Sequence, residues 1–205
     1  MNSQPSSHTH HPMNKLQRDD LLSLEAYATQ RTDFRTRVMA HKQHRKVHLG
    51  DHLTLTFEDR LTIQYQVQEM LRIERIFEAE GINDELDAYN PLIPDGKNLK
   101  ATLFVEYPDV DQRRQELARL VGIEHHIVLT VAGHAPVTAI ADEDMERSNE
   151  EKTAAVHFLR FELDDGMIVD WKAGARVTLG STHAGMHEDV TLSHMLQKTL
   201  AADFD

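Results

Sequence analysis

The spacing of the apolar residues changes along this chain, and the change limits the folds that it can adopt. Over residues 20–46 and 60–80 the apolar side chains recur every three or four positions, which is the period of an amphipathic helix. Over residues 52–58 and in several segments after residue 98 they alternate with polar side chains, as in a strand with one buried face. We therefore predict an α+β fold in which a helical N-terminal part packs on a mostly antiparallel sheet.

Capping and turn residues set the predicted boundaries of these elements. Asp59 is placed to cap the second helix, and Gly81 is placed to end it at residue 80. Pro91 and Pro94 break the chain into an irregular loop. Beyond the loop we predict a strand–helix–strand unit over residues 99–131, an exposed acidic loop over 142–153, strands over 155–163 and 175–179, and a closing helix over 190–200.

The charge of the chain is uneven as well as negative. There are 22 Lys plus Arg and 34 Asp plus Glu, which gives a net charge of −12. Residues 1–60 carry nine basic and seven acidic side chains, a net +2, whereas residues 61–205 carry 13 and 27, a net −14. An acidic surface repels nucleic-acid phosphates, so we do not expect nucleic-acid binding.

The absence of cysteine and of long apolar runs limits the chemistry and the compartment. With no Cys, the chain cannot form disulfides, thiolate metal sites or Cys-ligated iron–sulfur clusters by itself. Without an apolar run of about 18 residues or a signal peptide, we expect a cytoplasmic protein with no membrane contact. Residues 1–14 are polar and include His8, His10 and His11, so we predict a disordered tail before a single domain over residues 15–205.

Several charged side chains fall on apolar faces. Glu74 continues the apolar stripe of the second helix, and Glu69 and Arg72 lie on a neighbouring stripe. His157 shares the inward face of its strand with apolar residues. Because buried charges need partners, we expect Arg45 or Arg72 to pair with Glu69 or Glu74, and His41 to lie near Tyr65.

These residues define the candidate site, which we place where the front helices meet the loop over residues 90–100. Its candidate binding residues are His41, Arg45, Tyr65, Glu69, Arg72, Glu74, Asn90 and Lys100. Two interpretations remain open for them. They form either a buried ion-pair network that fixes helix packing, or a site for proton transfer, ligand binding or metal binding.

A divalent metal is the one cofactor that the residue pattern favours. His41 and His44 are three positions apart on a predicted helix and can share a ligand, so we name them as candidate metal ligands. The phosphate-binding patterns Gly-x-Gly-x-x-Gly and Gly-x4-Gly-Lys-Ser/Thr do not occur. No arrangement of residues predicts a particular catalytic mechanism.

Several uncommon strings occur in one order along the chain. They are FRTRVMAHK at 34–42, LGDHLTLTFE at 49–58, YQVQEMLR at 65–72, ELDAYNPLIPDG at 85–96, NLKAT at 98–102 and VHFLRF at 156–161. Together they make the chain similar, over about residues 21–204, to the bacterial domain-of-unknown-function family number 3501. Relatives in this family are often encoded beside a rubrerythrin-like protein and an iron–sulfur oxidoreductase. The resemblance therefore implies a redox or peroxide-defence setting, and it implies no catalytic residues.

From these observations we expect a non-enzymatic accessory or binding protein with no cofactor of its own, whose partner is an iron–sulfur oxidoreductase or a rubrerythrin-like protein. The alternative is a His/Glu metal-dependent enzyme. The one basic stretch in the sequence predicts where an acidic partner would dock. The docking residues are Arg31, Arg35, Arg37 and Lys42.

Overall fold

The computed structural model describes residues 15–141 and 152–204. The predicted tail over residues 1–14 and most of the predicted loop over residues 142–153 lie outside the described residues. Within these ranges the helices are α1 (Leu24–Gln43), α2 (Arg60–Glu74), α3 (Ala79–Tyr89), α4 (Val110–Arg119), α5 (Asp165–Lys172) and α6 (His194–Ala201). The strands are β1 (Lys46–Leu49), β2 (Leu53–Glu58), β3 (Asn98–Val105), β4 (Ile127–Val131), β5 (Val137–Thr138), β6 (Ile140–Ala141), β7 (Val156–Glu162), β8 (Val177–His183) and β9 (Met186–Thr191).

The segment predicted as the first helix, residues 20–46, contains α1 and the first residue of β1. Ser23 caps α1 by accepting a hydrogen bond from the Ala26 N–H. The helix ends at Gln43, so the prediction of a helix to residue 46 is too long. Residues 46–49 instead form β1, which pairs antiparallel with β2 across a turn at Gly50, where φ is +65°. Val47 and Leu49 alternate into the core, and their burial favours the strand over another helical turn.

The second predicted helix is two helices. Asp59 caps α2 as predicted, accepting a hydrogen bond from the Thr62 N–H at 3.0 Å. The helix then ends at Glu74 rather than at residue 80, because Arg75 adopts a left-handed conformation with φ +57°. The turn brings Ile76 against Gly81, where an added Cβ would lie 2.8 Å from Ile76 Cγ2. This contact between Ile76 and Gly81 is one that periodicity along the chain does not report.

The strands form two antiparallel sheets. One has the order β1-β2-β3-β7-β6 and the other β5-β4-β8-β9. In the five-stranded sheet Phe57 lies opposite Ala101, and Leu99 lies opposite Phe161. The α+β class and the antiparallel pairing are confirmed. The predicted strand, helix and strand over residues 99–131 are present as β3, α4 and β4, but β3 and β4 belong to different sheets.

Two hydrophobic clusters hold the described residues together. The larger one contains the apolar side chains of both sheets and of α5 and α6, including Trp171, whose Nε1 donates to the Gln197 carbonyl at 2.9 Å. The smaller one lies among α2, α3 and the segment before α1. Because α1 enters and α2 leaves the β1–β2 hairpin at the same end, the two helices pack antiparallel. This helix pair places most of the candidate residues.

Candidate functional site

A carboxylate on α2 ties the two front helices together. The Glu69 oxygens accept from Arg31 in a bidentate pair, with Nε–Oε1 at 2.8 Å and Nη2–Oε2 at 2.9 Å. The Tyr27 hydroxyl donates to Oε1 at 2.7 Å, and Arg72 Nη2 donates to Oε2 at 3.1 Å. We call Tyr27, Arg31, Glu69 and Arg72 the Glu69 cluster. Arg31 and Tyr27 come from α1, so the cluster is a cross-link between α1 and α2.

The Glu69 cluster keeps its carboxylate charged. Hydrogen bonds from Arg31, and then from Arg72 and Tyr27, lower the pKa of Glu69 to about 2. Burial of Tyr27, and then its bond to Glu69, raise the pKa of the phenol above its usual value. Glu69 is therefore an anion with both oxygens occupied at neutral pH, which suits a structural cross-link better than a general base.

A second set of charges joins the base of the helix pair to the C-terminal turn. The buried Arg45 donates to the Phe57 carbonyl through Nε at 2.9 Å and to Asp203 through Nη2 at 2.5 Å. Its Nη1 lies 3.4 Å from Asp59 Oδ2, and His41 Nε2 donates to that same oxygen at 2.5 Å. We call His41, Arg45, Asp59 and Asp203 the Arg45 cluster.

The pKa values of the two carboxylates in the Arg45 cluster are shifted in opposite directions. Burial would raise the pKa of Asp59, but Arg45, the Thr62 N–H and His41 outweigh it and lower that pKa. Burial raises the pKa of Asp203 to about 6, with a smaller rise from Asp59, although Arg45 acts in the opposite direction. With a pKa of about 6, the Asp203 carboxyl changes its protonation as the pH crosses the range just below neutrality.

The predicted site divides among several places. Tyr65 stacks on Phe34 with ring centroids 6.2 Å apart, and His41 bonds Asp59 instead of lying with Tyr65. The Asn90 side chain holds Leu16, accepting from its N–H at 2.7 Å and donating to its carbonyl at 3.0 Å.

The pairing predictions had mixed outcomes. The pair of Arg72 with Glu69 is confirmed. The inward position of Glu74 is wrong, because α2 ends there and leaves Glu74 exposed. Lys100 lies in β3 opposite Glu58 of β2 and Arg160 of β7.

The two predicted metal ligands lie in different environments. His44 is exposed, whereas His41 is bonded to Asp59. Among the described residues, no three His, Asp or Glu side chains are placed to hold a metal ion together.

Of the docking residues, Arg31 is paired with Glu69, and Lys42 is half-buried. Arg35 and Arg37 are exposed, and the Arg37 guanidinium lies 4.8 Å from the centre of the Phe34 ring.

Some of the connected polar residues were not predicted from the sequence. Asp203 is 158 positions from Arg45, and no local pattern links them. The predicted inward position of His157 is confirmed, and its Nε2 lies 2.8 Å from Thr153 Oγ1. Thr153 in turn donates to Glu124 at 3.1 Å, so the buried histidine belongs to a polar network inside the larger core.

An apolar groove runs along the outside of the smaller cluster. Its volume is about 560 Å³, and Arg18, Asp19 and Ser23 line it together with the apolar Leu21, Leu22, Leu24, Leu71, Ile76, Phe77 and Ile82. The exposed fraction of Phe77 is 70%, and that of Ile73, which lies outside the lining, is 59%. Both belong to the segment 60–80 that was predicted as one helix, but Phe77 lies beyond the end of α2, after the left-handed Arg75. Exposed apolar side chains at a groove are typical of interaction surfaces.

The fold and these features define an α+β protein with a cross-linked helix pair and an exposed apolar groove. A family model described as protein of unknown function (DUF3501) matches residues 15–204. The chain therefore belongs to the DUF3501 family.

Comparisons with individual proteins agree with this membership. The chain is similar to a crystal structure of a novel protein of unknown function from Burkholderia pseudomallei K96243, with 54% sequence identity and a TM-score of 0.88. That match covers 93% of this chain and 100% of the other. No curated protein matches the chain. Among its described helices, none is long and apolar enough to cross a membrane.

Proposed function

We propose that this chain is a non-enzymatic binding protein, an accessory in a bacterial redox or peroxide-defence system. The observation that carries the proposal is the exposed apolar groove, where the side chain of Phe77 is 70% exposed beside a lining of buried and half-buried apolar side chains. Burial of such side chains against a partner removes apolar surface from water and drives association.

The polar clusters support the same proposal. The Glu69 carboxylate is occupied by Tyr27, Arg31 and Arg72, and the Arg45 guanidinium by two carboxylates and backbone carbonyls. Groups that are bonded to one another in this way stiffen the helix pair. A stiff helix pair provides a preformed surface, which lowers the ordering cost of binding.

The partner class comes from the family resemblance. We propose an iron–sulfur oxidoreductase or a rubrerythrin-like protein encoded in the same bacterium. Since this chain has no Cys for a cluster, its role in electron transfer or peroxide removal is contact with the protein that carries the metal.

The test mixes the purified full-length chain with each of these two proteins and follows complex formation by sedimentation velocity. We expect a complex with one of them that Phe77→Ala weakens by about tenfold, as loss of an interface anchor does. The matched control is Val169→Ala, which shortens an exposed apolar side chain on α5. Equal weakening by both variants would place the contact elsewhere.

A metal measurement separates the proposal from the metal-dependent enzyme. The full-length chain with His8, His10 and His11 changed to Ala is analysed for bound iron and zinc, so that a metal bound by those three residues is not counted. Stoichiometric, tightly held metal together with no complex with either protein would overturn the accessory role and favour the enzyme.

A further inference from the structure

Acidic side chains are concentrated in the segment that supplies Ile76, Phe77 and Ile82 to the groove. Residues 73–89 contain six acidic side chains, and Arg75 is the one basic side chain among them. Glu78 directly follows the groove-lining Phe77 in the chain, and both are exposed. The acidic side chains of this segment, which we call the carboxylate border, are Glu74, Glu78, Glu80, Asp84, Glu85 and Asp87.

Three of these carboxylates lie close enough to one another to interact. Burial raises the pKa of Glu85, and the negative charges of Glu74 and Asp84 raise it further. Glu74 belongs to α2 and the other two to α3, so acidic residues from both helices converge at this border. The groove lining itself contributes one charge of each sign, from Arg18 and Asp19. The region of Glu74, Asp84 and Glu85 is therefore one of negative potential, and α3, which carries two of these carboxylates, also supplies Ile82 to the groove.

The walls of the groove are held in place before any partner arrives. The buried Gln68 side chain accepts from the Leu22 N–H at 2.6 Å and donates to the Leu22 carbonyl at 3.2 Å. Arg60 pairs with Asp20 at 2.6 Å. These bonds fix the segment before α1 against α2, so the groove exists in the free protein.

We propose that this groove binds a basic amphipathic segment of the partner protein, with apolar side chains on the groove and Lys or Arg against the carboxylate border. This inference rests on the proposed function and adds the chemistry of the segment that binds. An amphipathic helix laid in an apolar groove is a recurring mode of recognition, and complementary charge selects among partners. The acidic border repels an acidic segment and attracts a basic one.

Two segments of this chain itself fit the groove less well. Residues 1–14 are rich in Ser, His and Pro and carry Met as their only apolar side chains apart from Pro. The basic residues Arg35 and Arg37 of a second copy are exposed on α1, but their exposed neighbours Thr32, Asp33 and Thr36 are polar, and the apolar Phe34 and Val38 are half-buried and buried. A basic segment from another protein supplies both features that the groove requires.

The test uses two labelled synthetic peptides, an amphipathic helix of Lys and Leu and the same helix with Glu in place of Lys. Fluorescence anisotropy with the full-length chain measures their binding. We expect the Lys/Leu peptide to bind, to lose affinity as salt rises from about 50 to about 200 mM, and to compete with the partner protein. The Glu/Leu peptide should not bind.

Variants on α2, the turn and a distant helix locate the binding. Phe77→Ala, and separately the pair Glu74→Lys with Glu78→Lys, should each weaken the Lys/Leu peptide by about tenfold. Glu78 accepts no capping hydrogen bond in α3, so its replacement removes none. The matched controls are Val110→Ala, at a side chain 60% exposed, and Asp111→Lys beside it on α4. They should leave the affinity unchanged, and circular dichroism checks that every variant folds.

Each contrary result has a separate meaning. Equal binding of the Glu/Leu peptide would refute the proposal that the bound segment is basic. Equal weakening by Asp111→Lys would refute it too, because the peptide would then be attracted by the net charge of the whole protein. If the partner protein binds and the Lys/Leu peptide neither binds nor competes, the inference fails while the proposed function stands. If the chain self-associates and Phe77→Ala abolishes that association, a second copy occupies the groove and the inference is wrong.

Discussion

Replacement of Glu69 by Ala tests whether the Glu69 cluster holds the helix pair together. The buried Tyr27 hydroxyl would lose its acceptor, at a cost of about 1–3 kcal/mol. The side chains of Arg31 and Arg72 are 37% and 39% exposed, so water can replace part of what each loses. Each of these half-exposed pairs is worth about 0.5 kcal/mol. The expected loss in the free energy of unfolding is therefore about 2–4 kcal/mol.

Urea denaturation followed by circular dichroism measures this loss. The control is Glu74→Ala, an exposed Glu on the same helix, which should change the free energy of unfolding by less than about 0.5 kcal/mol. Glu69→Gln keeps an acceptor for Tyr27 and should fall between the two. Equal, small effects of Glu69→Ala and Glu74→Ala would refute the role of the cluster in stability.

The pH dependence gives a second measure of the same cluster. The pKa of Glu69 is lowered from 4.5 to about 2 in the folded protein. A lowered folded pKa contributes stability above the unfolded value, and that contribution is lost as the pH falls through the folded value. The difference in stability between wild type and Glu69→Gln should therefore shrink between about pH 4.5 and about pH 2, and stay constant above that range.

Three further variants test other features. Burial raises the pKa of Asp203 from 3.8 to about 6. A group whose pKa is raised on folding contributes stability at low pH that is lost as the pH rises. Thermal melts should therefore show that the stability of Asp203→Asn increases relative to wild type by up to about 3 kcal/mol between pH 4 and pH 7. If the relative stability of Asp203→Asn does not increase over this range, burial does not destabilise the charged Asp203 carboxylate. Arg75→Gly should stabilise the chain by about 0.5–1 kcal/mol in urea denaturation, because glycine adopts the left-handed conformation without strain, and a loss would contradict this. Reversal of the exposed Arg35 and Arg37 to Glu should weaken binding of an acidic partner surface at low salt without changing the melting temperature, whereas unchanged affinity would remove α1 as a docking face.

The sequence by itself determined the α+β class and several of the elements, whereas β1, α5 and β9 were not predicted from it. Periodicity over residues 20–46 and 52–58 predicted α1 and β2 because the side chains that face the core are local in sequence. Asp59 predicted the start of α2 for the same reason, since a capping bond spans three residues. The pairing of Arg72 with Glu69 also followed from their spacing on one helix.

Only the tertiary structure decided which distant groups meet. Asp203 reaches Arg45 and Tyr27 reaches Glu69 through packing between elements, and no spacing rule connects positions so far apart. The groove arose in the same way. Helical periodicity over residues 60–80 would turn Ile73 and Phe77 inward, but α2 ends at Glu74, Arg75 turns the chain, and both side chains are exposed. Local propensity is set by neighbours along the chain, whereas burial is set by neighbours in space, and the candidate site depends on the second.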